Sequence, residues 1–333
     1  MTPRPVSGAS QAQALAVPNL QPAALPLQPS SPPRRPAWTA RKPPTLARRM
    51  WRDRVMLLMC LPALLYLVIF QVIPDLGNVI AFENYLPFIG FINSQWVGFE
   101  NFTYLLHDPA VLQAAVNTVE LWLLQTLFDF PAPIILALIL SSLVSNQLRK
   151  AIQSLVTIPH FLAWTVIVAL YNQVFGRLGT LNAMLTSAGL QPVDIVTNPG
   201  LFKWMMTAQL MWKETGWGTI IYLAALLNID VQLYEAAAVD GANWWRRLWH
   251  ITMPGLMFIV SLFLILRVGL LTATGGEQIL LQRQAVGAKA GEVLFSYVYF
   301  HGIFGGQWSV AAAAGLVNGI LGLLLIVGSY RIA

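Results

Sequence analysis

Six long apolar stretches constrain the fold of this chain more than any other feature of its sequence. A helix needs about twenty apolar residues to cross the ~30 Å hydrocarbon layer of a membrane. The stretches are continuous rather than alternating, which favours helices over barrel strands. They cover residues 55–73, 117–144, 152–175, 203–227, 254–273 and 308–330. The sequence therefore predicts an all-α membrane protein with six transmembrane helices.

The distribution of lysine and arginine predicts how these spans are oriented. Nine of the twenty basic residues precede the first span, and none lies between the first and second spans. Arg149 and Lys150 follow the second span, Arg246 and Arg247 follow the fourth, and Arg331 follows the sixth. Because cytoplasmic loops carry the excess of basic residues, we expect both termini in the cytoplasm.

Residues 1–50 differ in composition from the rest of the chain. They are rich in Pro, Ala, Gln and Ser, and most of their basic residues lie near the end of the segment. Such a segment cannot bury enough apolar surface to offset its ordering entropy. We predict a disordered, basic, proline-rich cytoplasmic tail at 1–50 and a six-helix transmembrane permease domain at 51–333. The net charge of +6 is concentrated before the first span, so it does not indicate a nucleic-acid partner.

The segment between the fourth and fifth spans is charged and interrupted by glycine. It reads LYEAAAVDGANWWRRLWHITMPGL, Leu233–Leu256. Its first part is Ala-rich with Glu235 near the start, where the helix dipole favours an anion. Gly241 permits the left-handed conformation that ends a helix, and Asn243 can cap a second helix beginning at Trp244. These residues predict two short helices joined by a tight turn at the inner membrane face, although an ordinary loop with an interfacial helix has the same composition.

The spacing within this segment is more specific than its composition. It consists of Glu235-Ala236-Ala237, three residues, Gly241, nine residues, Ile251, one residue and Met253-Pro254. This spacing resembles the EAA signature of ABC importer permeases, with Met253 in place of the usual leucine. The resemblance extends over residues 51–333 and includes WVGFENF (Trp96–Phe102), AVNT (Ala115–Thr118), TIPHFLAWTVI (Thr157–Ile167), GWGTIIYLAALLNID (Gly216–Asp230), GGEQILLQ (Gly275–Gln282) and SYVYFHGIFGGQWSVAAAAGLVNGILGLLL (Ser296–Leu325). The last two stretches are most similar to oligosaccharide and polysaccharide permeases, the group with alginate- and lipoprotein-type uptake systems.

The resemblance implies a type I ABC importer permease fold in a bacterial inner membrane, with a cytoplasmic coupling helix. In that family the segment 233–256 inserts into a groove on a separate ATPase subunit. The implied coupling residues are Glu235, Ala236, Ala237, Asp240, Gly241, Ile251 and Pro254. The two alanines allow close approach, Glu235 offers a charge for a basic partner residue, and Pro254 ties the segment to the fifth span.

The resemblance also implies several partners. These are a second, similar but distinct permease chain, two ATP-binding subunits, an extracytoplasmic solute-binding protein and an oligosaccharide cargo. The printed sequence has no G-x-x-x-x-G-K-[ST] motif, so we expect ATP and Mg on the partner ATPase and no cofactor in this chain. Its single cysteine, Cys60, and the absence of a Cys/His cluster give no indication of a metal site. We therefore expect a transport subunit rather than an enzyme.

Charged residues inside the spans are candidates for the substrate path, because such residues are costly in a membrane. Lys213 and Glu214 lie in the fourth span and Arg267 in the fifth. Glu214 and Arg267 each lie about 13 residues from the cytoplasmic end of their span, roughly 20 Å at 1.5 Å per residue. We expect Glu214 and Arg267 to pair, or to line a water-filled cavity with Lys213. A purely structural ion pair is the alternative, and two cations with one anion mildly favour an acidic sugar.

Sugar sites also need planar apolar faces and hydrogen-bonding groups. Trp212, Trp217 and Tyr222 in the fourth span and Asn318 in the sixth have this chemistry. Aromatic side chains in spans also serve packing and interface anchoring, so both roles stay open.

Other functional classes remain as alternatives. An ABC permease for amino acids, peptides or inorganic anions would carry the same coupling segment. An ion-driven secondary transporter would show inverted repeats and intramembrane carboxylate relays, and no internal duplication is visible. An orphan membrane anchor would have no transport role.

Overall fold

The computed structural model describes residue 51 and residues 53–332, so the tail predicted at 1–50 lies outside the described residues. The chain up to residue 187 forms α1 (Arg54–Leu67), α2 (Ile73–Leu76), α3 (Glu100–His107), α4 (Pro109–Phe128), α5 (Pro131–Ser141), α6 (Asn146–Thr157), α7 (Trp164–Phe175) and α8 (Thr180–Ser187). The remainder forms α9 (Pro199–Leu227), α10 (Val231–Val239), α11 (Trp244–Arg247), α12 (Met253–Gly269), α13 (Gly276–Val286), α14 (Ala288–Gly291), α15 (Leu294–Tyr297) and α16 (Trp308–Ile332).

Short π- and 3-10 segments extend several of these helices. The π-helical segments are Val68–Val72, Leu248–Thr252 and Val298–Phe304, and the 3-10 segments are Gly77–Phe82, Ile158–Phe161 and Leu270–Ala273. Four continuous helical runs are long and apolar enough to cross a membrane: Arg54–Phe82, Pro109–Ser141, Trp244–Ala273 and Trp308–Arg331. Two bent pairs bring the number to six if each counts as one span. The predicted all-α fold class is confirmed.

The predicted third span, 152–175, is not one continuous helix. Its inner part, Asn146–Phe161, meets Trp164–Ser187 at an angle of 102°. Pro159 has no N–H to donate, and the chain passes through a 3-10 turn into extended backbone at Leu162 and Ala163 before α7 begins. The continuous apolar run therefore contains a break that hydropathy alone did not predict.

The second span changes its hydrogen-bonding pattern just before its prolines, Pro131 and Pro133. α4 ends at Phe128 and α5 begins at Pro131. The amide of Phe130 donates to the Gln125 carbonyl five residues earlier, at 3.3 Å, rather than four residues earlier. This wider turn places Asp129 at the junction between the two helices.

The connection between the first and second spans contains a small two-stranded sheet and the capped start of α4. Glu83–Asn84 and Gln95–Trp96 pair as an antiparallel two-stranded sheet, with Glu83 opposite Trp96. Asp108 caps α4, since its Oδ1 accepts from the Ala110 amide at 2.9 Å, and Pro109 occupies the first turn.

Three buried clusters hold the helices together. One joins α5, α9 and α12 through Ile134, Ala137, Leu140, Tyr222, Leu223 and Leu256. A second contains Leu121, Val196, Phe202, Met205, Met206, Ile279 and Val293, and a third contains Ala81, Leu105, Ala114, Tyr297, Ala313 and Ala314. Gly216 allows α9 to approach α6 closely, because a Cβ at this position would lie 2.0 Å from the Val156 carbonyl oxygen.

Candidate functional site

The predicted coupling segment forms a helical hairpin between α9 and α12. Its first helix, α10, leaves α9 at a bend of 67°. Asp230 caps it, with Oδ1 accepting from the Gln232 amide at 2.9 Å. At the other end Gly241 has φ of +71°, and the Ala242 amide donates to the Ala237 carbonyl at 2.8 Å. This is the left-handed C-terminal cap that the sequence predicts.

The second half of the hairpin begins at Asn243, as predicted. Its Oδ1 accepts from the Arg246 amide at 2.9 Å, which starts α11. The helix then widens into the π-helical segment Leu248–Thr252 before α12 begins at Met253. The segment after Asn243 therefore continues into the fifth span without a further break, and Pro254 lies in the first turn of α12.

Two contacts connect the two halves of the hairpin. The Tyr234 hydroxyl lies 2.9 Å from the Thr252 hydroxyl. At the base, Ile229 packs against Gly255 so closely that a Cβ on the glycine would lie 2.7 Å from the Ile229 Cδ1 atom. The hairpin is thus fixed to the ends of both spans.

The hairpin presents most of its predicted coupling residues to the outside. Glu235, Ala236, Asp240, Gly241 and Pro254 are exposed, and Ala237 and Ile251 are half-buried. α10 has no buried residue. Val239, at the end of α10, is 89% exposed. Trp244, Trp245 and Trp249 are each more than half exposed. An apolar, self-capped surface of this kind is suited to contact with another protein.

The expected pair between Glu214 and Arg267 is not formed, because each residue has another partner. Glu214 Oε2 lies 2.9 Å from His160 Nδ1, and Arg267 Nη1 lies 3.5 Å from Asp129 Oδ2. The break in the third span brings His160 to Glu214, and the junction in the second span brings Asp129 to Arg267. That pairing prediction was wrong, and the sequence analysis did not identify His160.

Lys213 is bound by the broken third span rather than by Glu214 or Arg267. Its side chain is buried, and Nζ donates to the carbonyl oxygens of His160 at 2.7 Å and Leu162 at 2.6 Å. The ammonium also lies 5.5 Å from the centroid of the Trp164 ring. Lys213 therefore caps the broken end of the third span, a structural role that the spacing of residues in the sequence could not show.

The four polar and aromatic candidates fall into two groups. Trp217 and Trp212 are 44% and 43% exposed, and Trp217 stacks on the His160 ring at 4.5 Å. Tyr222 is 4% exposed and packs near Phe263 in the core. Asn318 donates through Nδ2 to the Thr272 carbonyl at 3.0 Å, and its Oδ1 is shielded from solvent without a partner among the described residues.

Arg267 lines a cavity of about 210 Å³, but with tryptophans and amides rather than with the expected Glu214 and Lys213. Trp122 and Trp164 contribute aromatic walls, and Gln125 and Gln278 contribute amides. Trp122 Nε1 donates to the Arg267 carbonyl at 2.9 Å. Trp122 and Trp164 lie in different predicted spans. The sequence did not predict that they meet, because the break that positions Trp164 before α7 was not predicted.

Comparison with known protein families identifies one match. The family described as binding-protein-dependent transport system inner membrane component matches residues 129–333, which include the whole hairpin. Protein LplB of Bacillus subtilis (strain 168) is 38% identical over 283 residues, which cover 85% of this chain and 89% of LplB. The polygalacturonan/rhamnogalacturonan transport system permease protein YteP of the same organism is 36% identical over 283 residues, covering 85% of this chain and 88% of YteP.

Solved structures agree with these relatives. A bacterial alginate ABC transporter in complex with alginate pentasaccharide-bound periplasmic protein contains a chain that is 32% identical, with a TM-score of 0.79. The match covers 86% of this chain and 96% of that one. A chain of a bacterial ABC transporter involved in the import of the acidic polysaccharide alginate gives a TM-score of 0.80 at 32% identity, covering 86% and 97% of the two chains.

Proposed function

Because this chain belongs to the family of binding-protein-dependent transport system inner membrane components, we propose that it is the membrane-spanning subunit of an ATP-driven importer of oligosaccharides. The resemblance drawn from the EAA spacing is confirmed by the family and by relatives named for carbohydrate transport. The cargo is proposed by analogy with YteP and with the alginate transporters, which are named for saccharide polymers.

The observation that carries the coupling mechanism is the exposed hairpin between α9 and α12. Its backbone ends are capped by its own residues, and its base is packed against both spans. A separate ATPase that grips Glu235, Ala236 and the turn at Gly241 would therefore displace two spans together. ATP and Mg would be bound by that partner.

The remaining partners follow from the same assignment. A second, homologous permease chain would complete the path, two ATP-binding subunits would dock on the two hairpins, and an extracytoplasmic solute-binding protein would deliver the cargo. Both termini and the hairpin would face the cytoplasm. The matched alginate transporter in complex with a periplasmic protein supports an importer of this general kind.

The charges within the spans do not themselves select an acidic saccharide. Lys213 is held by two backbone carbonyls and Arg267 faces Asp129, so neither cation is uncompensated. Exposed aromatic faces are better candidates for cargo contact, because pyranose rings pack their C–H surfaces on planar side chains. Trp217, stacked on His160, offers one such face.

Stimulation of ATP hydrolysis tests the cargo. The complete transporter in proteoliposomes is supplied with the binding protein loaded in turn with neutral and uronic-acid oligosaccharides or with amino acids. We expect stimulation by at least one saccharide and by no amino acid. Stimulation by amino acids alone would contradict the oligosaccharide assignment while keeping the importer.

Replacement of Gly241 tests the coupling contact. A Cβ at this position meets nothing within 4 Å, but φ is +71°, a conformation that β-branched residues avoid and asparagine tolerates. Valine in this conformation costs roughly 1–2 kcal/mol of backbone strain, so Gly241→Val should reduce co-purification of the ATPase about tenfold. Gly241→Asn should retain most of the co-purification. Equal co-purification of the ATPase with both variants would contradict a role of the turn in docking.

A further inference from the structure

A cavity of about 850 Å³ lies beside the hairpin, where the inner ends of three helices meet. Its walls come from the end of α5, from α6, from the end of α9 and from both halves of the hairpin, with Tyr234 contributed by α10. α5 ends at Ser141 and α9 at Leu227, so the cavity lies at the level where two spans end. In the orientation proposed above, on which this inference rests, this level is the boundary between the hydrocarbon layer and the polar headgroups.

The charged residues that line this cavity are all basic. Arg149 and Lys150 come from α6 and Arg247 from α11, and no carboxylate is present among the described lining residues. Arg149 and Lys150 are adjacent in sequence, and Arg247 lies almost a hundred positions further along the chain. The fold brings all three to one cavity. Their charge is not compensated within the cavity, which favours an anionic occupant.

Arg247 has an unpaired donor. Its Nε atom is shielded from solvent and has no hydrogen-bond partner among the described residues, and a buried donor without an acceptor is costly. Because Nε is shielded, a phosphate in the cavity would meet this guanidinium through its Nη donors, and guanidinium donors match phosphate oxygens well.

Uncharged polar side chains line part of the cavity, namely Ser141, Ser142, Asn146, Gln153, Tyr234 and Thr252, and the part along the spans is apolar. Leu138, Leu223 and Leu227 line it along the spans. A small soluble anion would leave this surface bare, whereas an acyl chain would cover it. The combination of a basic rim and an apolar wall at the membrane boundary is the chemistry that recognises a phospholipid.

The residues expected to meet the ATPase do not line the cavity. Glu235, Ala236, Ala237, Asp240 and Gly241 lie elsewhere on the hairpin, whereas Trp244 and Arg247 line it. Tyr234, the neighbour of Glu235, also lines the cavity, so the two surfaces adjoin but share no residue.

We propose that this cavity binds an anionic phospholipid, with its phosphate on Arg149, Lys150 and Arg247 and an acyl chain along the leucine wall. The bound lipid would hold α6, the end of α9 and the hairpin together at the inner membrane boundary. The composition of the membrane would thereby affect the position of the hairpin.

Titration of the full-length chain in detergent, alone and with its co-purifying subunits, tests this site. The probes are dioctanoyl phosphatidylglycerol, dioctanoyl phosphatidylcholine, glycerophosphoglycerol and inorganic phosphate. We expect phosphatidylglycerol to bind at least tenfold more tightly than the other three. Arg247→Gln and Lys150→Gln should each weaken it about fivefold, since one basic residue near an anionic lipid contributes about that factor.

Arg246→Gln provides the matched control. Arg246 is adjacent to Arg247 and exposed, but it does not line the cavity, so its replacement should change the affinity less than twofold. Ala224→Trp, which fills the cavity from the apolar wall, should abolish binding of the lipid without changing the charge.

Several results would overturn the proposal. Equal affinity for phosphatidylglycerol and phosphatidylcholine, or equal losses in Arg246→Gln and Arg247→Gln, would show only non-specific charge attraction. Binding of inorganic phosphate or the free headgroup as tightly as the lipid would indicate a soluble phosphate ligand. Lipid binding that disappears when the co-purifying subunits are present would indicate a protein interface at this cavity.

Discussion

The hairpin at 231–252 and the break at 158–163 both interrupt helical structure, but they satisfy their backbone groups in different ways. In the hairpin, Asp230 and Asn243 each cap the helix that begins at the next residue. The Ala242 amide closes the turn by donating to the Ala237 carbonyl. In the break, the carbonyls of His160 and Leu162 accept from Lys213, which lies more than fifty residues away on α9.

The hairpin is therefore stabilised locally, whereas the break depends on a distant part of the chain. The hairpin keeps its shape through its own caps, so it can be exposed and available to a partner. The break exists only where α9 supplies a buried cation, because unpaired carbonyls are not tolerated in a membrane interior. Substitutions should therefore have global effects at the break and confined effects at the hairpin.

Replacement of Lys213 should have the largest effect. Lys213→Met removes the donor of two buried carbonyls, at about 1–3 kcal/mol each, so we expect a loss of roughly 2–6 kcal/mol of unfolding free energy. Thermal unfolding of the purified chain in detergent measures this as a lower Tm. Lys289→Met, at an exposed lysine on α14, is the control and should leave the Tm unchanged. An unaltered Tm in Lys213→Met would mean that the break does not depend on α9.

Replacement of Gly216 should have the next largest effect. A Cβ in Gly216→Ala would lie 2.0 Å from the Val156 carbonyl oxygen, so α6 and α9 must separate, at a cost of about 1–3 kcal/mol or more. The control is Gly319→Ala on α16, where a Cβ meets nothing within 4 Å. Similar Tm values for the two variants would show that the close approach is not required.

Replacement of Asn243 should have the smallest effect and the most local one. Asn243→Ala removes the cap of α11, at about 1 kcal/mol, while the Tm of the whole chain stays near the wild-type value. Hydrogen exchange should become faster at the amides of residues 244–247 and remain unchanged in α9. Asn243→Ser, which keeps a capping side chain, should retain slow exchange. Faster exchange throughout α9 in Asn243→Ala would show that the hairpin is not independent.

The local features of this chain were predictable from its sequence. Asp108, Gly241 and Asn243 act on residues within a few positions, so their caps follow from residue type and spacing. The EAA spacing is local for the same reason, and the comparison with known families confirms the resemblance that it indicated.

The long-range pairings were not predictable in the same way. Counting residues along spans placed Glu214 and Arg267 at one depth, but it carries no information about which faces of two helices meet. Pro159 was the available signal that the third span is broken, and a break there would have moved His160 toward Glu214. Lysine and arginine counts placed Arg149, Lys150 and Arg247 on one side of the membrane, but their convergence on one cavity requires the packing of α6 against α9 and the hairpin.

The contact between Ile229 and Gly255 has a mechanical consequence. Because the hairpin is closed at its base by this contact and again at Tyr234 and Thr252, its two halves resist sliding past each other. A force applied at the tip near Gly241 would therefore act on α9 and α12 together as a torque, rather than on either helix alone.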